Sequence, residues 1–364
     1  MKKFIALVLT MLVAFSLCAC GKETDPDKKQ LKDASSGVLT EKAETRNDGI
    51  DYTKGEPISL TGASSTTGTK DDALKLFFQL LEERSGGRIT VTHIAPGVMG
   101  NAELAEGIMM GTLNAAFVPD AIFDSVIGGG LAWTSLPGLV SNYDEVDEYY
   151  RNGWIGEEVQ RILAEKNIKA LAFFDVGFRS VGSKDKPIAE PIDLKGLKIR
   201  TASVTAMLTW YESIGTLPTS VAEAEVLTAL QQGIVDAVDN NPYAYYTNGI
   251  ADELRYVTNM NYLYSAGQLC INGDLWNSLS DTDKQLFREC AEIACASQDE
   301  NVRELCDDLI AEQKTSGQWE VLEREDLSEE MISFLDEKAV EVWSQFESGM
   351  DSELYAKCME HLAR

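Results

Sequence analysis

The spacing of apolar positions changes regularly along the chain and predicts alternating strands and helices. A short strand is predicted over 57–60. Over 71–84, Leu74, Phe77, Phe78 and Leu81 fall on one helical face that stops at Gly86-Gly87. Ile89-Thr90-Val91-Thr92-His93 alternates at period two, the mark of a half-buried strand. The same reading gives a helix over 102–110, a strand over 113–118, a long helix over 144–164 and a strand over 168–176. Alternation of this kind implies an α/β fold with mostly parallel sheets and helices on both faces. In that class, ligands sit at the carboxyl ends of the strands. Further on, apolar residues from Leu286 to Ile310 sustain a helical period over 280–314. Roughly 34 residues at 1.5 Å each would reach about 50 Å, longer than one small lobe. The alternative is two helices broken near 297–301. A short strand over 319–323 and a closing helix over 329–346 complete the pattern.

The amino terminus departs from this rhythm. Lys2 and Lys3 precede an apolar run from Phe4 to Phe15, too short to span a membrane and shaped like a secretory signal. Leu17-Cys18-Ala19-Cys20 follows and resembles the bacterial lipobox, in which the signal is cut before the cysteine and that cysteine, here Cys20, is lipidated. From Lys22 to about Lys54 the chain is polar and mixed in charge, with too few apolar residues to bury anything. It reads as a tether with a reach on the order of 30 Å.

Composition narrows the function by exclusion. With 32 Lys plus Arg against 59 Asp plus Glu, the formal charge is -27, the opposite of a nucleic-acid footprint. Only two histidines occur, His93 and His361, which removes most of the material for a His-rich zinc site. The stretch Gly62 to Lys70 looks like a phosphate loop but has the wrong glycine spacing and does not place Lys70 directly after Gly68. It reads as a solvated strand-to-helix loop. Gly128-Gly129-Gly130 is not a dinucleotide fingerprint, and no Gly-x-Ser-x-Gly elbow is present. Cys270, Cys290, Cys295, Cys306 and Cys358 show no Cys-x-x-Cys spacing and read as small buried or surface residues. Neither a cofactor nor a metal site is predicted.

The most informative stretch runs from Gly177 to Pro242. It holds Gly177-Phe178-Arg179, then Asp193-Leu194-Lys195-Gly196-Leu197-Lys198-Ile199-Arg200, then the run from Glu225 through Asp236-Ala237-Val238-Asp239-Asn240-Asn241. This succession closely resembles the substrate-binding proteins of TRAP transporters, the tripartite ATP-independent periplasmic family called DctP. Gly87-Arg88-Ile89, Pro96 to Gly100 and Leu136-Pro137 upstream, with Trp276 and Leu279 downstream, keep the family's order. The resemblance implies a periplasmic-binding-protein-like fold of two α/β lobes, with a central cleft, hinge strands and a long helix crossing both lobes. The implied organisation is a signal peptide over 1–19, the lipidated cysteine and tether over 20–55, one lobe from 56–176 plus 265–305, and a second from 177–264 plus 306–364.

The resemblance also implies the chemistry. Family members mostly hold an organic acid, with a carboxylate on an arginine at the position of Arg200, a second arginine matching Arg179 and an asparagine matching Asn240. Independently of the family, Leu197 and Ile199 alternate with Lys198 and Arg200, so Arg200 emerges at a strand's carboxyl end. A guanidinium can grip both carboxylate oxygens, which lysine cannot. Arg179 has two readings, contact with solute or pairing with an acid of its own lobe. Either Asn240 or Asn241 could face the solute, since Asn240-Asn241-Pro242 is also a natural turn. Glu223 stands where many members have an aromatic residue. Facing the cleft, it would repel a second carboxylate; the alternative is a solvated loop. Asp120 carries the same pair of readings, and Phe178, with Trp133 and Trp210, is a candidate apolar wall.

The resulting expectation is an extracytoplasmic, lipid-anchored receptor and not an enzyme. It would deliver a dicarboxylate, sugar acid, or keto or hydroxy acid to TRAP membrane carrier subunits, touching the membrane only through its lipid and binding no nucleic acid. Two alternatives are a receptor of the same fold feeding a sensor or ATP-driven importer, and an anchored hydrolase built on Asp236 and Asp239.

Overall fold

The structure, a computed structural model, describes residues 49–363. The signal segment, Cys20 and most of the tether lie outside the described residues. Its strands are β1 (Ile58–Ala63), β2 (Ile89–Ile94), β3 (Ala115–Pro119), β4 (Ile168–Phe178), β5 (Ser180–Ser183), β6 (Lys198–Thr201), β7 (Leu217–Ser220), β8 (Ala237–Asn240), β9 (Tyr256–Thr258), β10 (Tyr264–Asn272) and β11 (Glu320–Leu322). They form two sheets, ordered β2-β1-β3-β10-β4 and β11-β9-β5-β8-β6-β7. Each sheet is the core of one lobe. The sheets are mostly parallel, as expected, with one antiparallel strand in each: β10 runs against β3 and β4, and β5 against β8 and β9. The exception has a topological cause. β4 runs on through Arg179 into β5 of the other sheet, so β5 starts beside the end of β8, and β9 leads back into β10, which starts beside the end of β4.

The crossings sit side by side. Arg179 joins β4 to β5, and its amide donates to the Leu263 carbonyl just before β10 at 2.9 Å, so the two connecting segments are tied to each other. A third connection is the helix Asp281–Ser316, unbroken over 36 residues. Ser280 caps its start by accepting from the Asp283 amide, and Gly317, at φ 72, ends it in the left-handed conformation glycine tolerates. Leu286, Phe287, Cys290, Ala291 and Ala294 on its first half bury against Leu74 and Phe77 of lobe I. Leu309, near its end, buries with Tyr245, Val257 and Trp319 of lobe II. At about 1.5 to 3 kcal/mol per fully buried large apolar side chain, the helix is fastened to both lobes.

The predicted helix over 144–164 is interrupted. A helical turn at Tyr143–Glu145 runs into a π-helical stretch, Val146–Arg151, and the α-helix restarts at Trp154–Ala164. Gly153 and Gly156 allow the break, because a Cβ on Gly156 would stand 1.9 Å from the Tyr150 carbonyl oxygen. The last two helices, Glu329–Phe346 and Ser352–Leu362, fold back toward lobe I. Trp343 Nε1 donates to the Pro137 carbonyl at 2.8 Å, and His361 lies 2.7 Å from the Leu139 carbonyl and edge-on to Tyr149 and Trp154. His361 is thereby a packing residue. His93 is likewise held by Asp71, at 2.9 Å, within lobe I.

Candidate functional site

In lobe II, sheet register assembles a charged cluster from three strands. Ser180 of β5 pairs with Asn240 of β8, and Arg200 of β6 pairs with Val238 of β8, which brings Arg179, Arg200 and Asp239 together at one sheet end. Asp239 is fully buried and its carboxylate is consumed: Arg179 Nε donates to Oδ1 at 2.8 Å and Thr201 Oγ1 to Oδ2 at 2.6 Å. The remaining nitrogens of Arg179 donate to the Asp239 carbonyl at 2.8 Å and to Ser265 Oγ at 3.4 Å. Every nitrogen of Arg179 is thus occupied by protein, and the contact to Ser265 reaches across the hinge.

Arg200 is in a different state. It is 4% exposed, yet no carboxylate lies within ion-pair distance of it among the described residues. Its Nε donates to the Val221 carbonyl at 3.0 Å and Nη1 makes a long contact of 3.5 Å to the Asp239 carbonyl, while Nη2 donates to nothing described. Burial, followed by the repulsion of Arg179, lowers its pKa from the usual arginine value, against the attraction of Glu223 and Asp239. Burying an ion costs several kcal/mol unless an opposite charge and hydrogen bonds compensate. Arg200 is therefore a preorganised cation with donors to spare and no anion.

Beside this cluster a small cavity of about 40 Å³ lies where both lobes and the crossing helix meet. Lobe I contributes Thr66, Thr67, Thr69 and Lys70 from the β1 loop, and Asp175 and Val176 from the end of β4. Lobe II contributes Glu223, Asn240 and Asn241, and the crossing helix Gln298 and Val302. Arg200 is close enough for Glu223 to feel its charge but does not itself line this space. The cavity has room for a few waters but not for an organic acid, so a solute is accommodated only when the lobes part. A larger space of about 510 Å³ lies beyond Tyr243 and Thr247. Its rim carries Asp72, Asp252 and Glu312 and no cation. An anion is repelled there, so the cavity beside Arg200 is the candidate site despite its size.

The residues singled out in the sequence fall into distinct places. Glu223 lines the cavity rather than a solvated loop. Its carboxylate accepts from Asn248 Nδ2 at 3.1 Å; burial pushes its pKa up, but Lys70, Asn248, Arg200 and Arg179 together hold it below the usual range. Asn240 also lines the cavity. Its Oδ1 accepts the Asn241 amide at 2.9 Å, leaving Nδ2 with no bond among the described residues. Asn241 is spent on structure: Oδ1 caps the helix Pro242–Thr247 through the Ala244 amide at 2.6 Å, and Nδ2 donates to the Val176 carbonyl.

Asp120 does not reach the cavity. It is 1% exposed inside lobe I, where Gln268 Nε2 is its hydrogen-bond partner at 3.2 Å, and burial pushes its pKa up to about 7. Phe178 is half-buried between the rings of Tyr143 and Tyr264, at 5.2 and 5.1 Å, and packs at the hinge. Trp133 and Trp210 are core. Asp236 and Asp239 do not converge as a hydrolase pair would, since Asp236 lies at the surface against Lys198 at 3.3 Å. Among the described residues no group of side chains is arranged to hold a metal, and all five cysteines are buried and free.

Lys70, the threonines before it and Gln298 were missed. The stretch from Gly62 to Lys70 lacks phosphate-loop spacing and reads in the sequence as a solvated strand-to-helix loop. It is an ordered wall of the cleft, fixed by Ser64 Oγ donating to Asp71 Oδ1 at 2.5 Å. Its threonine content was the available signal.

Residues 61–348 match the family model for bacterial extracellular solute-binding proteins, family 7, called DctP. A solute-binding protein of Chromohalobacter salexigens is 29% identical over 229 residues, 62% of this chain and 67% of that one. The 2,3-diketo-L-gulonate-binding periplasmic protein YiaO of Escherichia coli is 26% identical over 264 residues, 70% of this chain and 77% of that one. The aligned stretch spans 63 to 67% of the length of four such relatives. Among solved structures, the sugar acid binding protein DctPAm of Advenella mimigardefordensis, in complex with galactonate, superposes with a TM-score of 0.77. It is 20% identical, with 85% of this chain and 99% of that one covered. Among the described residues no helix is long and apolar enough to cross a membrane. The chain belongs to the DctP family of bacterial extracellular solute-binding proteins.

Proposed function

We propose that the protein is an extracytoplasmic receptor that captures an organic acid and hands it to a TRAP-type membrane carrier, performing no covalent chemistry. The observation that carries this is the state of Arg200, a buried guanidinium with no carboxylate partner and unused donors at the end of a cleft-facing strand. The open lobes admit the anion, Arg200 grips its carboxylate, and closure places the solute between the β1 loop, Asn240 and the crossing helix. Arg179 holds Asp239, and Asp239 in turn presents its carbonyl to Arg200; the role of Arg179 is to set the position of the receptor cation and to raise the local positive potential. The excess negative charge of the surface does not defeat capture, since salt screens exposed charges over about 8 Å while Arg200 acts at contact. The names of relatives support an acid as solute, because YiaO binds 2,3-diketo-L-gulonate and DctPAm was solved with galactonate. We assign Cys20 as the lipid-bearing residue, with the tether leaving the receptor free to find its carrier near the membrane.

The test is a thermal-shift panel of dicarboxylates, aldonic and uronic acids, and keto and hydroxy acids on the domain from about Glu56, refolded to strip bound solute. A ligand at a thousand times its dissociation constant adds about 4 kcal/mol to stability, a rise of several degrees. A shift with at least one acid, lost in Arg200→Ala, is the expected result. An unmoved melt across the panel refutes the carboxylate reading.

A further inference from the structure

The cavity described above has chemistry of its own beyond Arg200. Its lobe II wall carries Glu223, an ionised carboxylate that Asn248 holds in place. Facing it from lobe I are Thr66, Thr67, Thr69 and Lys70. From the crossing helix comes Gln298, 1% exposed, whose Nε2 donates to the Asp175 carbonyl at 2.8 Å while Oε1 accepts from nothing described. Asp175 itself, also on this wall, has its carboxylate engaged by Arg303 at 2.6 Å and by Tyr264. The space thus offers acceptors in want of donors, a set of neutral hydroxyls and amides, and one cation, Lys70, whose charge acts on Glu223.

We infer that Glu223 makes this site selective for polyhydroxylated monocarboxylates over dicarboxylates of the same chain length. The inference rests on the proposed capture of a carboxylate by Arg200 and concerns the other end of the same solute. One carboxylate goes to Arg200. A second one, at the far end of a short carbon chain, would meet Glu223, whose charge already offsets that of Lys70, the single cation lining this space, so that like charge opposes it. A hydroxyl in that place donates to Glu223 or to Gln298 Oε1 and accepts from a threonine or from Asn240 Nδ2. It satisfies both sides at once and cures an acceptor left unpaired in the solute-free protein. An ammonium there would suit Glu223 but is opposed by Lys70 on the facing wall. A purely aliphatic acid would leave these polar groups unpaired, which is how a hydrogen-bonding site rejects an analogue without the hydroxyl.

The experiment is calorimetric titration with matched pairs that differ only in the terminal carbon, such as gluconate with glucarate, galactonate with galactarate, and 4-hydroxybutyrate with succinate. The titrations are run on wild type, Glu223→Gln and Glu223→Asp. Glu223→Gln retains an acceptor for Asn248 and nearly the same volume, and a melting curve confirms that each variant is folded. The expected result is at least one hydroxylated monoacid bound about tenfold or more tightly than its diacid partner. That ratio collapses in Glu223→Gln through a gain in diacid affinity and persists in Glu223→Asp. Equal or tighter binding of the diacid by wild type, or an unchanged ratio in Glu223→Gln, overturns the inference while leaving Arg200 capture intact. Binding of no acid of either kind overturns both, and the two failures are thereby distinguished.

Discussion

Replacing Arg200 by alanine separates a receptor cation from a structural one, because the two roles predict opposite signs in the solute-free protein. Arg200 is 4% exposed, faces the repulsion of Arg179 and makes its best hydrogen bond to a backbone carbonyl, so it contributes little to the stability of the empty receptor. Arg200→Ala is expected to leave the melting temperature of the empty protein unchanged within about 1 kcal/mol or to raise it, since a buried charge without a partner is removed. With solute present the sign reverses. The bound carboxylate loses its buried counter-ion, at a cost of about 3 to 5 kcal/mol, or roughly 150-fold to several thousandfold in dissociation constant. Arg200→Lys keeps the charge but not the planar fork and should fall between. The assay is calorimetry for affinity and scanning calorimetry for the empty protein, on wild type and both variants. Affinity retained within a few-fold, or a melt lowered by several degrees without solute, would refute the reasoning. Asp239→Asn is the control: it strips Arg179 of its buried partner and should cost about 3 to 5 kcal/mol of stability in the absence of any solute.

Three further outcomes follow from the packing. Asp120 has an ordinary carboxyl pKa of 3.8 and one of about 7 in the fold, so the folded chain binds that proton more tightly than the unfolded one. Its contribution therefore declines as pH rises from about 4 to about 7, by a ceiling of about 4 kcal/mol, and is level outside that window. Asp120→Asn should flatten this part of the curve and raise the urea midpoint at pH 8 more than at pH 5; equal midpoint changes at both pH values would contradict it. Gly156→Ala forces a Cβ against the Tyr150 carbonyl and should lower stability by about 1 to 3 kcal/mol or more, read as a drop in the denaturation midpoint. The five cysteines among the described residues are buried, and burial pushes thiols such as Cys290 up to about 12, so on the domain from about Glu56 a thiol reagent should label none of them until the protein is unfolded.

The parts of this molecule legible in the sequence are those encoded locally. The 3.6 period from Leu286 to Ile310 carries the helix itself, while its unbroken course across both lobes came from the family resemblance, and the string ending at Arg200 placed that residue at a strand's carboxyl end. The burial of Arg200 without a counter-ion was not legible, because it depends on Asp239 preferring Arg179 and Thr201, a choice made by sheet register among three strands. The sequence leaves Asn240 and Asn241 as alternatives, and the cap that an asparagine before proline supplies is what engages the Asn241 side chain here. Lys70 and Gln298 are 228 positions apart in the chain and meet only through tertiary packing. The break at Gly153 escaped notice because a π-helical stretch preserves apolar spacing well enough to pass as one long helix.

A crystal structure of the receptor with a bound acid tests the central claim most directly. The account predicts that the lobes close over the solute, with carboxylate oxygens about 2.7 to 2.9 Å from the nitrogens of Arg200 and the remainder of the molecule between the β1 loop and Gln298. An acid seated in the larger cavity rimmed by Asp72, Asp252 and Glu312, or a carboxylate that leaves Arg200 unengaged, would contradict it.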